Sequence, residues 1–317
     1  MGAKSRFREF KVEMGPTVKE IKFMLGRIKK SPLSIVGMAI IIFFIAVALL
    51  APILAPPGPD WAVYETYDPM RIPRDSYVST PSPPSERHPF GTAEFQYDLY
   101  YGSIWGTITA FRVGLWVTLA SLAIGLSIGV VAGYYGGIID ELMMRFTDII
   151  MAFPGLILAM ALVAAFGATL DNVLLALTII GWPGYTRVIR GEILRVKQED
   201  YVEAAKAVGC SDLRVIVKHV LPNSIYPIVI MASLDIGSVV LTAAALSFLG
   251  LGAPVDYADW GQLIARSQNW IYGNINDPFS FWYTFLIPGI FIFTFVLGWN
   301  LLGDAFRDIM DPTLRRR

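Results

Sequence analysis

One cysteine, Cys210, and two histidines, His88 and His219, are all that 317 residues offer of the softer metal-binding side chains. A single cysteine excludes an intrachain disulfide and a Cys-x-x-Cys pair, which leaves Cys210 as a small loop residue. Charge is scarce too. Asp, Glu, Lys and Arg make up 16% of the chain, against about a quarter in soluble domains. No Gly-x-x-x-x-Gly-Lys-Ser/Thr string occurs, so the usual cradle for nucleotide phosphates is missing. No Ser-centred Gly-x-Ser-x-Gly elbow is expected, and no zinc site, because the two histidines are separated by several apolar runs. What the chain has instead is apolar length: 55% of residues are hydrophobic and the mean hydropathy is +0.53. That composition makes an all-α integral membrane protein the expected fold class, with length converting into crossings of about 20 residues each.

About six runs approach that length: Ser34 to Leu54, Val113 to Tyr135, Ile149 to Gly167, Asn172 to Val188, Ile225 to Phe248 and Phe281 to Leu302. The first exceeds the core of a signal peptide, so it stays as a span. The fourth contains Trp182-Pro183-Gly184, where proline withholds a hydrogen bond and bends the helix. Orientation follows from the cations. Nine Lys and Arg residues between Lys4 and Lys30, seven between Arg187 and Lys218, and the terminal Arg315-Arg316-Arg317 lie on one side, whereas the segment between the last two spans holds only Arg266. The positive-inside bias puts both termini and the Glu203 loop in the cytoplasm. The organisation expected is a segment 1–33 carrying an interfacial amphipathic helix (Val18, Ile21, Met24, Leu25 and Ile28 at helical spacing), a span 34–54, an outer loop 55–112, a core 113–303 with a cytoplasmic loop 189–224, and a tail 304–317. The outer loop is rich in proline, Tyr and Trp, which points to an extended but ordered cap.

Two features inside the spans stand out. Gly125, Gly129 and Gly133 recur every four residues, flattening one helix face for close packing within the bundle. Asp235 sits between Leu234 and Ile236 in the fifth span, where a charge costs on the order of 3 kcal/mol on insertion scales. It either lines a wet pathway or accepts hydrogen bonds from a neighbouring helix.

Between the fourth and fifth spans, Asp200 to Val208 is composed of helix formers, Gly209 stands where a left-handed cap is needed, and Ser211 can cap a second helix that Pro222 ends or bends. Tyr201, Ala204, Ala205 and Val208 are expected on one small-residue face, flanked by Glu203 and Lys206. With Glu203-Ala204-Ala205, then Gly209, then Leu221-Pro222, this loop resembles that of the membrane permeases of ATP-binding cassette importers, His219 filling a slot that is usually hydrophobic. The likeness extends to His88-Pro89-Phe90-Gly91-Thr92, Gly133-Tyr134-Tyr135-Gly136-Gly137, Arg190-Gly191-Glu192, Leu246-Ser247-Phe248-Leu249-Gly250 and Asn300-Leu301-Leu302-Gly303-Asp304, which together look like the second permease of dipeptide, oligopeptide and nickel importers.

The resemblance implies the type I importer architecture in the cell membrane, with no catalytic site, no metal and no cofactor in this chain. ATP and Mg would be bound by partner ATPases. Expected partners are a second homologous permease, two cytoplasmic ATP-binding subunits, an extracellular solute-binding protein and the lipid bilayer, with no nucleic acid. Tyr201, Glu203, Ala204, Ala205, Lys206, Gly209, Leu221 and Pro222 would couple to the ATPases. Peptides are the first expectation for cargo; oligosaccharides or nickel are alternatives, and an ion-driven secondary transporter is a remoter one. One departure marks the outer loop: where relatives carry an acidic residue and then Gly-Arg-Asp, this chain has Ala93 and Gln96-Tyr97-Asp98.

Overall fold

The computed structural model describes residues 31–56, 68–273 and 277–310. The expected amphipathic helix over Val18 to Ile28, the aromatics Trp61, Tyr64 and Tyr67, and the arginine tail lie outside the described residues. Among those described, helices dominate and the only β pairing is in isolated bridges.

Helix α1 (Pro32–Leu54) starts on Ser31, whose side chain accepts from the Ser34 N–H at 3.4 Å. It packs along α11 (Trp282–Met310) where glycines allow contact: a Cβ on Gly298 would stand 2.6 Å from Ile40, and one on Gly37 2.7 Å from Leu301. Helix α2 (Leu99–Tyr135) begins at Leu99, not at Val113 as hydropathy suggests, and its 37 residues span roughly 55 Å. The Asp98 carboxylate caps it, accepting from the Tyr101 N–H at 2.9 Å. Gly102 and Gly106 then let the extra turns lie against Leu263 and Trp260. The loop after the first span, expected to run to residue 112, therefore closes at Asp98.

The run expected as a third span is broken. Helices α3 (Gly137–Met151) and α4 (Gly155–Phe166) meet at 84°, because Pro154 cannot continue α3 and instead starts α4. Helix α5 (Leu170–Val196) continues through Pro183 and past Val188. It is followed by α6 (Asp200–Ala207), α7 (Asp212–Val215), a π turn over Ile216–Val220, α8 (Leu221–Ser224), α9 (Tyr226–Phe248), the short α10 (Trp260–Ala265) and α11. Of these, α1, α2, α9 and α11 are long and apolar enough to cross a membrane, and the bent α3–α4 pair adds a fifth crossing if it counts as one span. Helix α5 has the length, but its apolar run is interrupted by Trp182 to Thr186 and closes on Arg187 and Arg190. The six expected spans thus resolve into four clear ones, one bent pair and α5.

The most extensive helix pairing is between α2 and α5, and the glycine repeat explains it. A Cβ on Gly125 would lie 2.7 Å from the Trp182 carbonyl and one on Gly129 2.6 Å from that of Thr186. Removing those methyls lets backbone meet backbone, the packing that replaces hydrophobic drive in lipid. Helix α9 lies against α2, α5 and α11.

Residues 68–98 form an extended cap at the start of α2. The Ile72 N–H donates to the Asp256 carbonyl and the Ala258 N–H to that of Met70, both at 2.7 Å. Trp105 Nε1 donates to Ala55 and Trp260 Nε1 to Ser103, both at 3.0 Å. Long-range bonds, not regular secondary structure, hold this cap to the bundle.

Candidate functional site: the loop between α5 and α9

Helix α6 has Asp200 and Glu203 in its first turn and Lys206 in its last, each sign placed to suit the helix dipole. It ends in a Schellman cap: Gly209, at φ +83°, donates to the Lys206 carbonyl at 2.9 Å and Cys210 to that of Ala205 at 3.1 Å. Ser211 occupies the N-cap of α7, but its hydroxyl makes no capping bond; only its carbonyl serves, accepting from the Val215 N–H at 3.0 Å. Pro222 does not end the second helix: it lies in the first turn of α8, directly after the π turn. Lacking an N–H and crowding the carbonyl four residues back, it is accommodated by the preceding π turn, in which the Leu221 N–H reaches the Ile216 carbonyl. Leu221 is half-buried and Pro222 exposed.

The expected docking face is corrected by one residue. Val202 and Ala205 are buried with Val215, Ile216 and Val220 against Ile189 and Ile193 of α5, so Ala205 belongs to the core. Tyr201, Ala204 and Val208, at i, i+3 and i+7, form the outer stripe, with Val208 80% exposed. Glu203 and Lys206 are also exposed.

Polar contacts tie this loop to the far ends of the long helices. The Tyr134 hydroxyl donates to Asp212 at 2.7 Å, Lys206 Nζ lies 5.1 Å over the Tyr134 ring, and Lys197 Nζ donates to the Gly133 carbonyl at 2.8 Å. Arg190 grips Asp140 of α3 bidentately at 2.5 and 2.6 Å, and Arg187 reaches Asp148. Lys206 of α6 and Asp212 of α7 thus both meet Tyr134 at the end of α2, and α5 is joined in turn to α2 through Lys197 and to α3 through Arg187 and Arg190. Sequence reading named Gly133, Tyr134 and Arg190 within motifs but not these pairings, which join residues far apart in the chain.

Elsewhere, Asp235 lies half-buried on α9 beside Tyr185 of α5. The two interact electrostatically, yet the buried Tyr185 hydroxyl completes no hydrogen bond of normal geometry. In the cap, His88 was read only as part of a motif; it is a clamp, with Nδ1 2.7 Å from Asp98 and Nε2 2.9 Å from Asp75. Burial pushes the His88 pKa down, but the two carboxylates outweigh it and the net direction is up. Gln96, standing where the family motif has glycine, takes the left-handed backbone (φ 60°) that glycine suits. Its side chain compensates by accepting from Ser82 and Thr92 and donating to the Thr80 carbonyl. The string Gly125-Leu126-Ser127-Ile128-Gly129 spells Gly-x-Ser-x-Gly, but it runs mid-helix and Ser127 donates to its own helix at Ala123, so it is no elbow. Among the described residues no cluster of His, Cys, Asp or Glu could hold a metal.

The fold defines a helical, multi-pass membrane protein. Residues 125–316 match the family described as binding-protein-dependent transport system inner membrane component, and residues 22–77 match the N-terminal TM domain of oligopeptide transport permease C. The chain is 37% identical to a dipeptide transport system permease protein of Alkalihalophilus pseudofirmus, over 91% of this chain and 88% of that one. It is 38% identical to a probable D,D-dipeptide transport system permease protein of Escherichia coli, over 91% and 90% of the two chains. A glutathione transport system permease protein of Pectobacterium atrosepticum is 38% identical over 73% and 75%. The chain belongs to this family of inner-membrane permeases of ATP-binding cassette importers.

Proposed function

We propose that this permease forms half of a pathway importing peptides, released by an extracellular solute-binding protein and driven by two cytoplasmic ATPases, with a second homologous permease forming the other half. The cargo assignment is supported by the names of the relatives, which concern dipeptides and glutathione. The cation bias supports an orientation with both termini and the α6 loop in the cytoplasm and the 68–98 cap outside. ATP and Mg belong to the partner ATPases, and this chain contributes no cofactor. On this reading the domain boundaries are those expected from sequence, except that the outer loop ends at Asp98 and the core begins at Leu99.

The observation that carries the coupling role is the exposed stripe Tyr201, Ala204 and Val208 on a helix whose other face is buried and whose end is a Schellman cap. Glu203 and Lys206 flank the stripe, Ala205 seats it, and Gly209, Leu221 and Pro222 set its angle. Driving a two-state transporter from about 1:99 to 99:1 takes roughly 5.5 kcal/mol. A helix whose inner face is packed on α5 and whose Lys206 meets Tyr134 of α2 transmits such a bias; a loose loop dissipates it. A Cβ on Gly209 would meet nothing within 4 Å, so bulk there projects into the docking groove rather than into this chain, and the left-handed backbone adds strain of about 1–2 kcal/mol. Gly209→Trp or Glu203→Lys should leave the complex inserted and hydrolysing ATP while uptake falls about tenfold or more. Substrate-stimulated turnover and uptake at wild-type rates in Gly209→Trp would remove the docking assignment.

A further inference from the structure

Asp235 is an acidic side chain midway along a membrane-spanning helix, and no Lys, Arg or His among the described residues pairs with it. Elsewhere on the bundle Asp140 has Arg190, Asp148 has Arg187 and Asp171 has Arg112, whereas Asp235, like the buried helix cap Asp259, has no cation among the described residues. What adjoins Asp235 is the Tyr185 hydroxyl, 2% exposed as a residue and without a completed hydrogen bond. Following Asp235 along α9, Ser238 is exposed and Thr242 half-buried, at i+3 and i+7, so the carboxylate begins a polar stripe on the surface of this single chain. Both hydroxyls donate back to their own helix, Ser238 to the Asp235 carbonyl at 3.0 Å and Thr242 to that of Ser238 at 2.8 Å. They are therefore satisfied without a partner. The Tyr185 hydroxyl, in contrast, has no bond of normal geometry, and the carboxylate beside it has no cation.

A carboxylate offers only acceptors, and the phenol oxygen beside it adds another. That set matches a donor-rich cation, and an ammonium group with three N–H bonds is the simplest one. Lipid does not cover such a group without cost, so the stripe belongs to a watered surface. We infer that Asp235, supported by Tyr185, is a station for the positively charged amino terminus of the passing peptide, a transient countercharge that keeps the cargo from stalling within the membrane. The inference rests on the peptide reading above. It assigns Asp235 a direct contact and Tyr185 a positioning role.

Because delivery by a binding protein governs the apparent affinity, the station should act on the maximal rate. The test uses the complete complex with its binding protein in proteoliposomes, supplied with ATP and a radiolabelled dipeptide with a free amino terminus. Asp235→Asn, which keeps shape and hydrogen bonding but not charge, should lower the maximal uptake rate about tenfold with the half-saturation concentration changed less than about twofold. Asp235→Glu should recover to within about threefold of wild type, and Tyr185→Phe should fall about threefold. Each variant is purified alongside to check that the second permease and the ATPases still come with it. Asn at wild-type rate, or Asn and Glu equally impaired, overturns the countercharge. Loss of the second permease from Asp235→Asn makes the residue a subunit contact instead, and also overturns it. A wild-type complex that hydrolyses ATP with its binding protein but moves no peptide removes the cargo reading first, and the station with it; that failure shows in the wild type, whereas failure of the station alone shows only in the variants.

Discussion

His88 shows how a residue with an ordinary motif role becomes a titratable clamp. It bridges Asp98, the cap of α2, and Asp75, which Arg87 also holds at 3.0 Å. Its pKa in the folded chain is raised above the usual value of about 6.5. The protonated form is thus the one folding favours: the clamp's contribution is complete below about pH 6.5 and is lost as pH climbs through the raised value. Hydrogen exchange over residues 82–98, corrected for intrinsic rates, should show stronger protection at pH 6 than at pH 8.5, and His88→Gln should flatten the difference. Equal protection at both pH values would mean that the clamp does not titrate with folding. Next to it, Gln96 illustrates a trade. The left-handed backbone costs about 1–2 kcal/mol, and three side-chain hydrogen bonds at about 1 kcal/mol each offset it. Phe95 before it is left-handed as well, at φ 60°, so the altered motif holds two such residues without glycine.

Among the elements, the α2–α5 seam is the one most tightly specified. A methyl added at Gly129 would press on the Thr186 carbonyl and on Ile189, neither of which can move without shifting α5. Overpacking of this kind costs about 1–3 kcal/mol, so Gly129→Ala should lower the melting temperature of the detergent-solubilised complex. Gly191 on α5 is the internal control, since a Cβ there meets nothing within 4 Å. Gly191→Ala should be neutral or stabilising by about 0.5–1 kcal/mol from helix propensity. A Gly129→Ala complex that melts with the wild type would show that the seam has slack. The break between α3 and α4 has a different origin, a proline that follows an amphipathic stretch. Hydropathy runs smoothly across Ile149 to Gly167, so the turn is carried by backbone chemistry that a hydropathy window averages away.

At the scale of the molecule, α2 separates two polar ends by roughly 55 Å. One end carries the cap, the other the α6 loop joined through Tyr134, Lys197 and Arg190. The proposed orientation makes the first end external and the second cytoplasmic. Cys210, the single cysteine and partly accessible, gives a direct check. A membrane-impermeant maleimide should leave it unlabelled in intact right-side-out vesicles and label it after permeabilisation. With Cys210 changed to Ser, a cysteine placed at Tyr77, which is 75% exposed in the cap, should label from outside. The reverse pattern would invert the topology and detach α6 from any cytoplasmic motor.

The amino-acid sequence by itself determined the membrane character, the helical content, the close-packing glycine face of α2 and the short helix ending at Gly209. Each of these depends on composition or on residues within a few positions of one another, through hydropathy, helix propensity and the left-handed tolerance of glycine. Only the tertiary structure decided that Ala205 turns inward and leaves Tyr201, Ala204 and Val208 outside, that α2 extends back to Asp98, and that His88, Tyr134 and Arg190 have carboxylate partners. It also decided that Tyr185 stands beside Asp235. Those outcomes join residues from distant parts of the chain, and long-range partners are chosen by how whole helices pack, which no local pattern encodes.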